Sequence, residues 1–207
     1  MSSKDYFDNV ADQWDTMRDT FFSETVRKAA LSRAGVRAGQ VAADIGAGSG
    51  FITEALLQAQ LKVIAVDQSE EMLAVMRRKF GDVAIDYHVG RSEALPIRDN
   101  HVDHAFANMY LHHVEDPALA ICEIARILKP NGKLVITDLN PHNHTFLVEE
   151  HHDRWMGFEQ NAVAQWFKEA GLSTIAVTDL DSECCATSDC GTAEATITIF
   201  VASGVKS

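Results

Sequence analysis

Three groups of residues along the 207-residue chain have types and spacings that could do chemistry. The first runs Val41-Ala42-Ala43-Asp44-Ile45-Gly46-Ala47-Gly48-Ser49-Gly50-Phe51, and a second acid, Asp67, stands seventeen residues after Gly50. Glycines on alternate positions let the backbone approach a ligand closely, and a following helix N-terminus carries partial positive charge. An acid at that distance, closing the apolar run Lys62–Asp67, is placed to accept hydrogen bonds from a pair of ribose hydroxyls. This first group predicts a nucleoside-type cofactor. The second group is histidine-rich: His112-His113, then His142, His144 and His151-His152-Asp153-Arg154-Trp155. The third is Cys184-Cys185 with Cys190 five residues on.

His113 is a candidate general base, because an imidazole titrates near neutrality, and its alternative is to brace a loop. If residues 145–155 form one helix, His144, Val148, His151 and Trp155 share a face that can bound a substrate pocket. Arg154 and Trp155 then either bind an anionic or aromatic substrate group or tie that helix to the body of the protein. His144, His151 and Asp153 match no strong metal-ligand spacing, so no metal is expected. The three cysteines fall in an expected long connector, residues 181–195, whose reach at about 3.3 Å per residue lets them line or gate a substrate site.

The elements that must position these groups alternate. Apolar strand-like runs at 41–45, 63–66, 85–89, 102–107 and 134–138 are separated by segments of helical spacing. Ser69 is placed to cap a helix carrying Met72, Leu73, Met76 and Phe80, and residues 119–128 mark another that ends at the turn Lys129-Pro130-Asn131-Gly132. Such alternation implies a parallel sheet with helices on both faces. The tail differs: an amphipathic helix at 159–170 precedes two strand-like runs, 173–180 and 196–202, with no room for a helix between them. This predicts an α/β fold whose seven-stranded sheet is mostly parallel with the last strand antiparallel.

Composition narrows the partners. The formal net charge is −12 and the sequence pI about 5.1, which disfavours a nucleic-acid partner. The one basic run, Arg77-Arg78-Lys79, ends a predicted helix, where it complements the helix dipole. No apolar stretch approaches the roughly 20 residues of a membrane helix, and Met1-Ser2-Ser3-Lys4 does not begin a secretory signal. A cytoplasmic protein with reduced cysteines is expected, and no membrane insertion.

With these motifs in order, the chain resembles a class I S-adenosylmethionine-dependent methyltransferase, and is similar to the small stand-alone members of the ubiquinone/menaquinone C-methyltransferase-like group. The resemblance rests on Tyr6-Phe7-Asp8, Ala11 and Trp14-Asp15 at the start, the Asp44–Gly50 turn, and Asp67. It continues through Glu93-Ala94-Leu95-Pro96 with Asp99 and Asp103, and Leu128-Lys129-Pro130 with Gly132. It implies a Rossmann-like doubly wound sheet in a single domain, 1–207, divided into an N-terminal helical lid (1–35), a cofactor-binding half (36–138) and a substrate-side half (139–207). The helix over 5–20 either closes over the site or mediates a dimer contact, so the chain is expected as a monomer or homodimer. The glycine turn also lacks the x-x-Gly ending of dinucleotide sites, against a nicotinamide enzyme.

What the resemblance implies for individual residues follows. Asp44 helps to hold the ammonium of S-adenosylmethionine, Gly46, Ala47 and Gly48 lie against its amino acid and ribose, and Asp67 accepts from the ribose hydroxyls. Gln68, Met72, Ser92 and Glu93 surround the adenine, although Ser92 stands where the family often has an acid, and Met72 is as readily ordinary core. Asn108 approaches the methionine portion through its main chain. The acceptor is a small molecule: a quinone-like or aromatic carbon in an apolar pocket near Tyr6, Trp14 and Trp155, or a thiol or metalloid held by Cys184, Cys185 and Cys190, with His151 and Arg154 nearby. A catalytically silent cofactor-binding or metal-sensing module is the alternative from another class.

Overall fold

The computed structural model describes residues 3–21, 23–188 and 190–207; Met1, Ser2, Phe22 and Asp189, which fall in the leader, lid and connector readings above, lie outside the described residues. Seven strands form one sheet: β1 (Val41–Ile45), β2 (Lys62–Asp67), β3 (Ile85–Val89), β4 (Val102–Asn108), β5 (Leu128–Leu139), β6 (Leu172–Thr187) and β7 (Glu194–Lys206). Their order is β3-β2-β1-β4-β5-β7-β6, and only β7 runs against the others. The helices are α1 (Ser3–Val10), α2 (Trp14–Phe21), α3 (Glu24–Ala34), α4 (Phe51–Gln58), α5 (Glu70–Phe80), α6 (Pro117–Ile127), α7 (Phe146–Glu150) and α8 (Gln160–Glu169).

Strand alternation sorts the core into two layers. Ala42, Val63, Phe106, Val135 and Val201 face α3 and α4, whereas Ala43, Ile64, Ala105, Ile136 and Phe200 face α6 and α8. Both faces are covered, so the central strands read as continuous apolar runs. Local signals set the helix starts. Ser69 Oγ accepts from the Met72 amide at 3.1 Å, and Asp116 caps α6 ahead of Pro117. Between Val102–Leu128 and His104–Lys133 pairing, residues 129–132 bulge out with Asn131 at φ 64°, which preserves the expected turn inside a longer strand.

The parallel register brings Asp67, Asp44, Asn108 and Asp138 to the same carboxyl-terminal rim, the ligand-binding edge of an open α/β sheet. Across that rim lie α1 and α2. Asp8 accepts from Ser69 Oγ at 2.6 Å, Asp15 pairs with Ser49 and Lys79, and Asp12 pairs with Arg78. The two ion pairs among these ties, Asp15–Lys79 and Asp12–Arg78, are solvent-exposed, the kind that hold a cover weakly. Among the described residues no helix is long and apolar enough to cross a membrane.

Four expectations change. The N-terminal helix breaks at a 3-10 turn, Ala11–Gln13, and the cover is α1 and α2 alone, because α3 buries Val26, Ala30 and Ala34 against the sheet. The helix over 145–155 stops at Glu150; His152, at φ 59°, turns the chain away and removes Trp155 from the face of His144 and His151. The connector over 181–195 is mostly strand: β6 extends to Thr187 and β7 starts at Glu194. The alternation Cys184-x-Ala186 opposite Ala195-x-Ile197 buries a narrow apolar face, which prolongs the hairpin past the register shift between Asp179 and Glu183.

Candidate functional site

Two cavities open at the rim. The outer one is lined by Asp44, Gly46, Ala47, Gly48, Asp67, Gln68, Met72 and Asn108, with Trp14, Tyr110 and His113 completing its walls. Gly46, Gly48 and Gly50 all have positive φ (66°, 53° and 93°), the conformation for which glycine is needed. A side chain at Gly46 would meet the Tyr110 ring at 2.1 Å, and one at Gly48 would touch Trp14. Asp44, 2 % exposed, accepts from the amide and hydroxyl of Thr53 at 2.9 and 2.7 Å. Burial pushes its carboxyl up to about 6 against those two bonds. Asp67 accepts from the Gly48 amide through one oxygen and the Ser69 amide through the other, both at 2.8 Å, and burial raises its carboxyl too. Each oxygen keeps a lone pair for a ligand hydroxyl.

Ser92 and Glu93 are not on this cavity. Ser92 is buried and accepts from the Tyr110 hydroxyl at 3.3 Å, so the Tyr110 ring divides the cleft from a third hollow lined by Gln68, Glu93 and Arg154. Met72 lines the cleft while fully buried, so it serves as core and wall together.

The inner cavity is apolar. Tyr6, Phe7, Trp14 and Phe21 come from the cover, Leu139 and Leu147 from the floor, and His112, His113, His151, Asp153 and Cys184 supply its polar groups. Its aromatic rings meet edge to face: Phe7 on Trp14 at 5.2 Å, Phe7 on His113 at 4.9 Å and Phe21 on His151 at 5.4 Å. Phe7, Trp14, Met109 and His113 line both cavities, so the two abut. Met109 holds φ 48°, a strained conformation for a side chain of this size, at the junction.

Asp138, fully buried, organises the inner end. It accepts from the Leu111 amide (2.8 Å), the Leu139 amide (2.8 Å) and His112 Nδ1 (2.7 Å). Burial opposes charge on His112, but Asp138 and Asp153 outweigh it and push the imidazole up to about 9. His113 goes the other way: burial first, then the neighbouring histidines, holds it well below the usual range.

The cysteines do not converge. Cys184 faces the inner cavity with its thiol pushed up to about 12 by burial, whereas Cys185 is exposed and Cys190 sits in the exposed turn beside Thr192. The idea of three thiols lining or gating one site is therefore not supported by their placement. Trp155 is 41 % exposed and donates Nε1–H to the Val114 carbonyl at 3.0 Å, an anchor outside the inner cavity. Sequence reasoning missed Phe7 as a wall, Tyr110 as a divider and Asp138 as an organiser. The side-by-side histidines were the only available signal for Asp138.

Residues 43–136 match the methyltransferase domain family. The chain is 28 % identical over 207 residues to a demethylmenaquinone methyltransferase of Renibacterium salmoninarum, covering 84 % of this chain and 85 % of that one. In this chain two buried strand-end acids flank a glycine cradle on one cleft. The chain is a class I S-adenosylmethionine-dependent methyltransferase. Its fold is shared with the methyltransferase in a complex with the Haloferax volcanii Trm112 activator (TM-score 0.80, 25 % identity, 99 % of this chain and 97 % of that). It is shared also with Haemonchus contortus phosphoethanolamine N-methyltransferase 2 bound to S-adenosylhomocysteine (TM-score 0.80, 20 % identity, all of this chain and 60 % of that). As a methyltransferase of this kind the enzyme uses S-adenosylmethionine, whose sulfonium supplies an electrophilic methyl group when bound.

Proposed function

We propose that the enzyme transfers this methyl group to a carbon of a small, apolar, quinone-like aromatic acceptor seated in the inner cavity. The observation that carries this is the aromatic cavity wall, which meets the cofactor cleft along Phe7, Trp14, Met109 and His113. In-line transfer needs the acceptor at close range in a site that excludes water, and a cover bearing Tyr6, Phe7, Trp14 and Phe21 provides that exclusion. A carbon nucleophile must be electron-rich, so the reduced, hydroquinone form is the acceptor. The relative named demethylmenaquinone methyltransferase supports this class, and the outward placement of Cys185 and Cys190 favours it over thiol or metalloid capture.

On this reading Asp67 receives the ribose hydroxyls, Asp44 faces the ammonium, Gly46 to Gly48 lie along the amino acid and ribose, and Gln68 and Met72 bound the adenine. Asn108 approaches the methionine portion. Asp44 then makes cofactor binding pH-dependent with a definite sign. Its carboxyl sits at about 6 in the folded protein, above its ordinary value of 3.8, so its charge costs stability as pH rises through that interval. The cofactor ammonium favours the charged form. Affinity for S-adenosylhomocysteine is expected to be flat above pH 7 and to fall by up to about tenfold per unit below pH 6. Calorimetric titrations from pH 5 to 8 check this, and a flat profile would remove Asp44 from the ammonium site.

The acceptor reading is tested by comparing S-adenosylhomocysteine release with a reduced short-chain naphthoquinone and with phosphoethanolamine. Faster release with the naphthoquinol is expected. Leu147→Trp, which fills the inner cavity alone, should cut that turnover more than tenfold while cofactor affinity stays within threefold. Preference for the amine, or full turnover in Leu147→Trp, contradicts the reading.

A further inference from the structure

His112 and His113 lie on a 3-10 turn after β4, and Asp153 on the segment after α7; all three are buried. His112 Nε2 is 3.9 Å and His113 Nδ1 3.6 Å from Asp153 Oδ1, and one ligand atom from each lies within 4.8 Å of the other two. Three donors bound at about 2.0–2.2 Å with tetrahedral angles stand roughly 3.3–3.6 Å apart, so the two distances to Asp153 need to close by no more than a few tenths of an ångström, and the two imidazoles move together within the 4.8 Å that bounds the group.

Two independent observations point to a ligand between them. Asp138 accepts from His112 Nδ1–H at 2.7 Å, which turns Nε2 toward Asp153, where a metal ion would replace the proton that the two acids hold on the ring, as a carboxylate does behind a metal-bound imidazole. His113 Nδ1 is buried with no hydrogen-bond partner among the described residues, a costly state for a polar atom beside a carboxylate. Among the described residues no lysine or arginine lines the cavity, and a dication with two neutral imidazoles would balance Asp153 and Asp138 in place of the proton on His112.

We propose that His112 Nε2, His113 Nδ1 and Asp153 bind one divalent first-row transition-metal ion of the zinc class, with its fourth position open to the inner cavity. The set differs from His144, His151 and Asp153, the grouping considered from sequence, because α7 ends before His151 and the chain turns at His152. His113 then serves as a ligand rather than as a base. An acceptor hydroxyl in the open position would lose its proton to solvent and bind as the oxyanion; this last clause rests on the aromatic-acceptor reading, whereas the metal site does not.

The test titrates the full chain, stripped with a chelator and dialysed, with zinc chloride by calorimetry and with cobalt(II) chloride by visible absorption. One ion per chain at micromolar affinity or tighter is expected, with the intense visible bands of four-coordinate cobalt. His113→Gln and Asp153→Asn should each weaken zinc binding at least 30-fold. His151→Gln, which lines the same cavity without supplying one of the three donors, should stay within threefold. A Cys185→Ser/Cys190→Ser double variant should also keep full affinity, and it decides the matter if the ligand variants do not fold. The proposal is overturned if folded wild-type protein binds no stoichiometric zinc, if folded ligand variants bind it unchanged, or if the cysteine variant loses it. Each of those results leaves the methyl-transfer reading standing, because none of them measures turnover.

Discussion

Asp67→Ala is expected to lower affinity for S-adenosylhomocysteine by at least 100-fold, with little change in melting temperature. A carboxylate accepting from two ribose hydroxyls makes two charge-assisted hydrogen bonds, each worth about 1.5–3 kcal/mol, and their sum corresponds to roughly 100-fold or more in binding. The same carboxylate also accepts from the Gly48 amide at 2.8 Å, so its removal loosens the backbone that lies along the ligand. Stability moves less, because burial already makes this charge costly in the unliganded protein, and deleting it relieves that cost while releasing two backbone amides. Calorimetry with a parallel thermal melt checks both halves. Affinity within fivefold of wild type would mean that the ribose is held elsewhere.

Asp138→Ala has the opposite profile, a large loss of stability. Asp138 is fully buried and accepts from two backbone amides and His112 Nδ1. Truncation leaves those three donors unsatisfied in a closed interior and removes the partner of a buried imidazole, which costs about 3–5 kcal/mol. For a chain of this size that is a drop of about 6–20 °C in melting temperature. Asp138→Asn retains a carbonyl acceptor and should lose markedly less. Equal melting of Asp138→Ala and wild type would show that the rim is not organised through this carboxylate.

The cleft of Asp44, the glycine turn and Asp67 was legible because its residues are close in sequence, whereas Ser92 and Glu93 fall outside it. Asp44, the glycine turn and Asp67 lie within one strand–turn–helix–strand unit, so spacing alone sets their relative positions, and the structure gathers them on one cleft. Strand alternation and the reversed β7 were readable for a similar reason: apolar periodicity reports burial. The inner cavity was not legible, because its walls come from α1, α2, the ends of β4 and β5, α7 and β6, which are brought together only by tertiary packing. Cysteines 184 to 190 misled because residue chemistry was weighed over alternation; Cys184 and Ala186 continue a buried strand face that ends a few residues later than expected. Trp155 misled because a single positive φ at His152 ends the helical spacing on which its placement depended. Tyr110, meanwhile, carries no sequence signal for dividing a cleft, since only the Gly46 backbone beneath its ring reveals that role.

On the proposed function, the two abutting cavities join a methyl donor to an apolar aromatic carbon. The most direct test incubates the enzyme with trideuteromethyl-labelled S-adenosylmethionine and a reduced short-chain naphthoquinone, then determines the product's mass and the position of the label. One deuterated methyl group on a ring carbon is expected, formed in step with S-adenosylhomocysteine. Label on oxygen, sulfur or nitrogen, or S-adenosylhomocysteine release that the naphthoquinol does not accelerate, would contradict it.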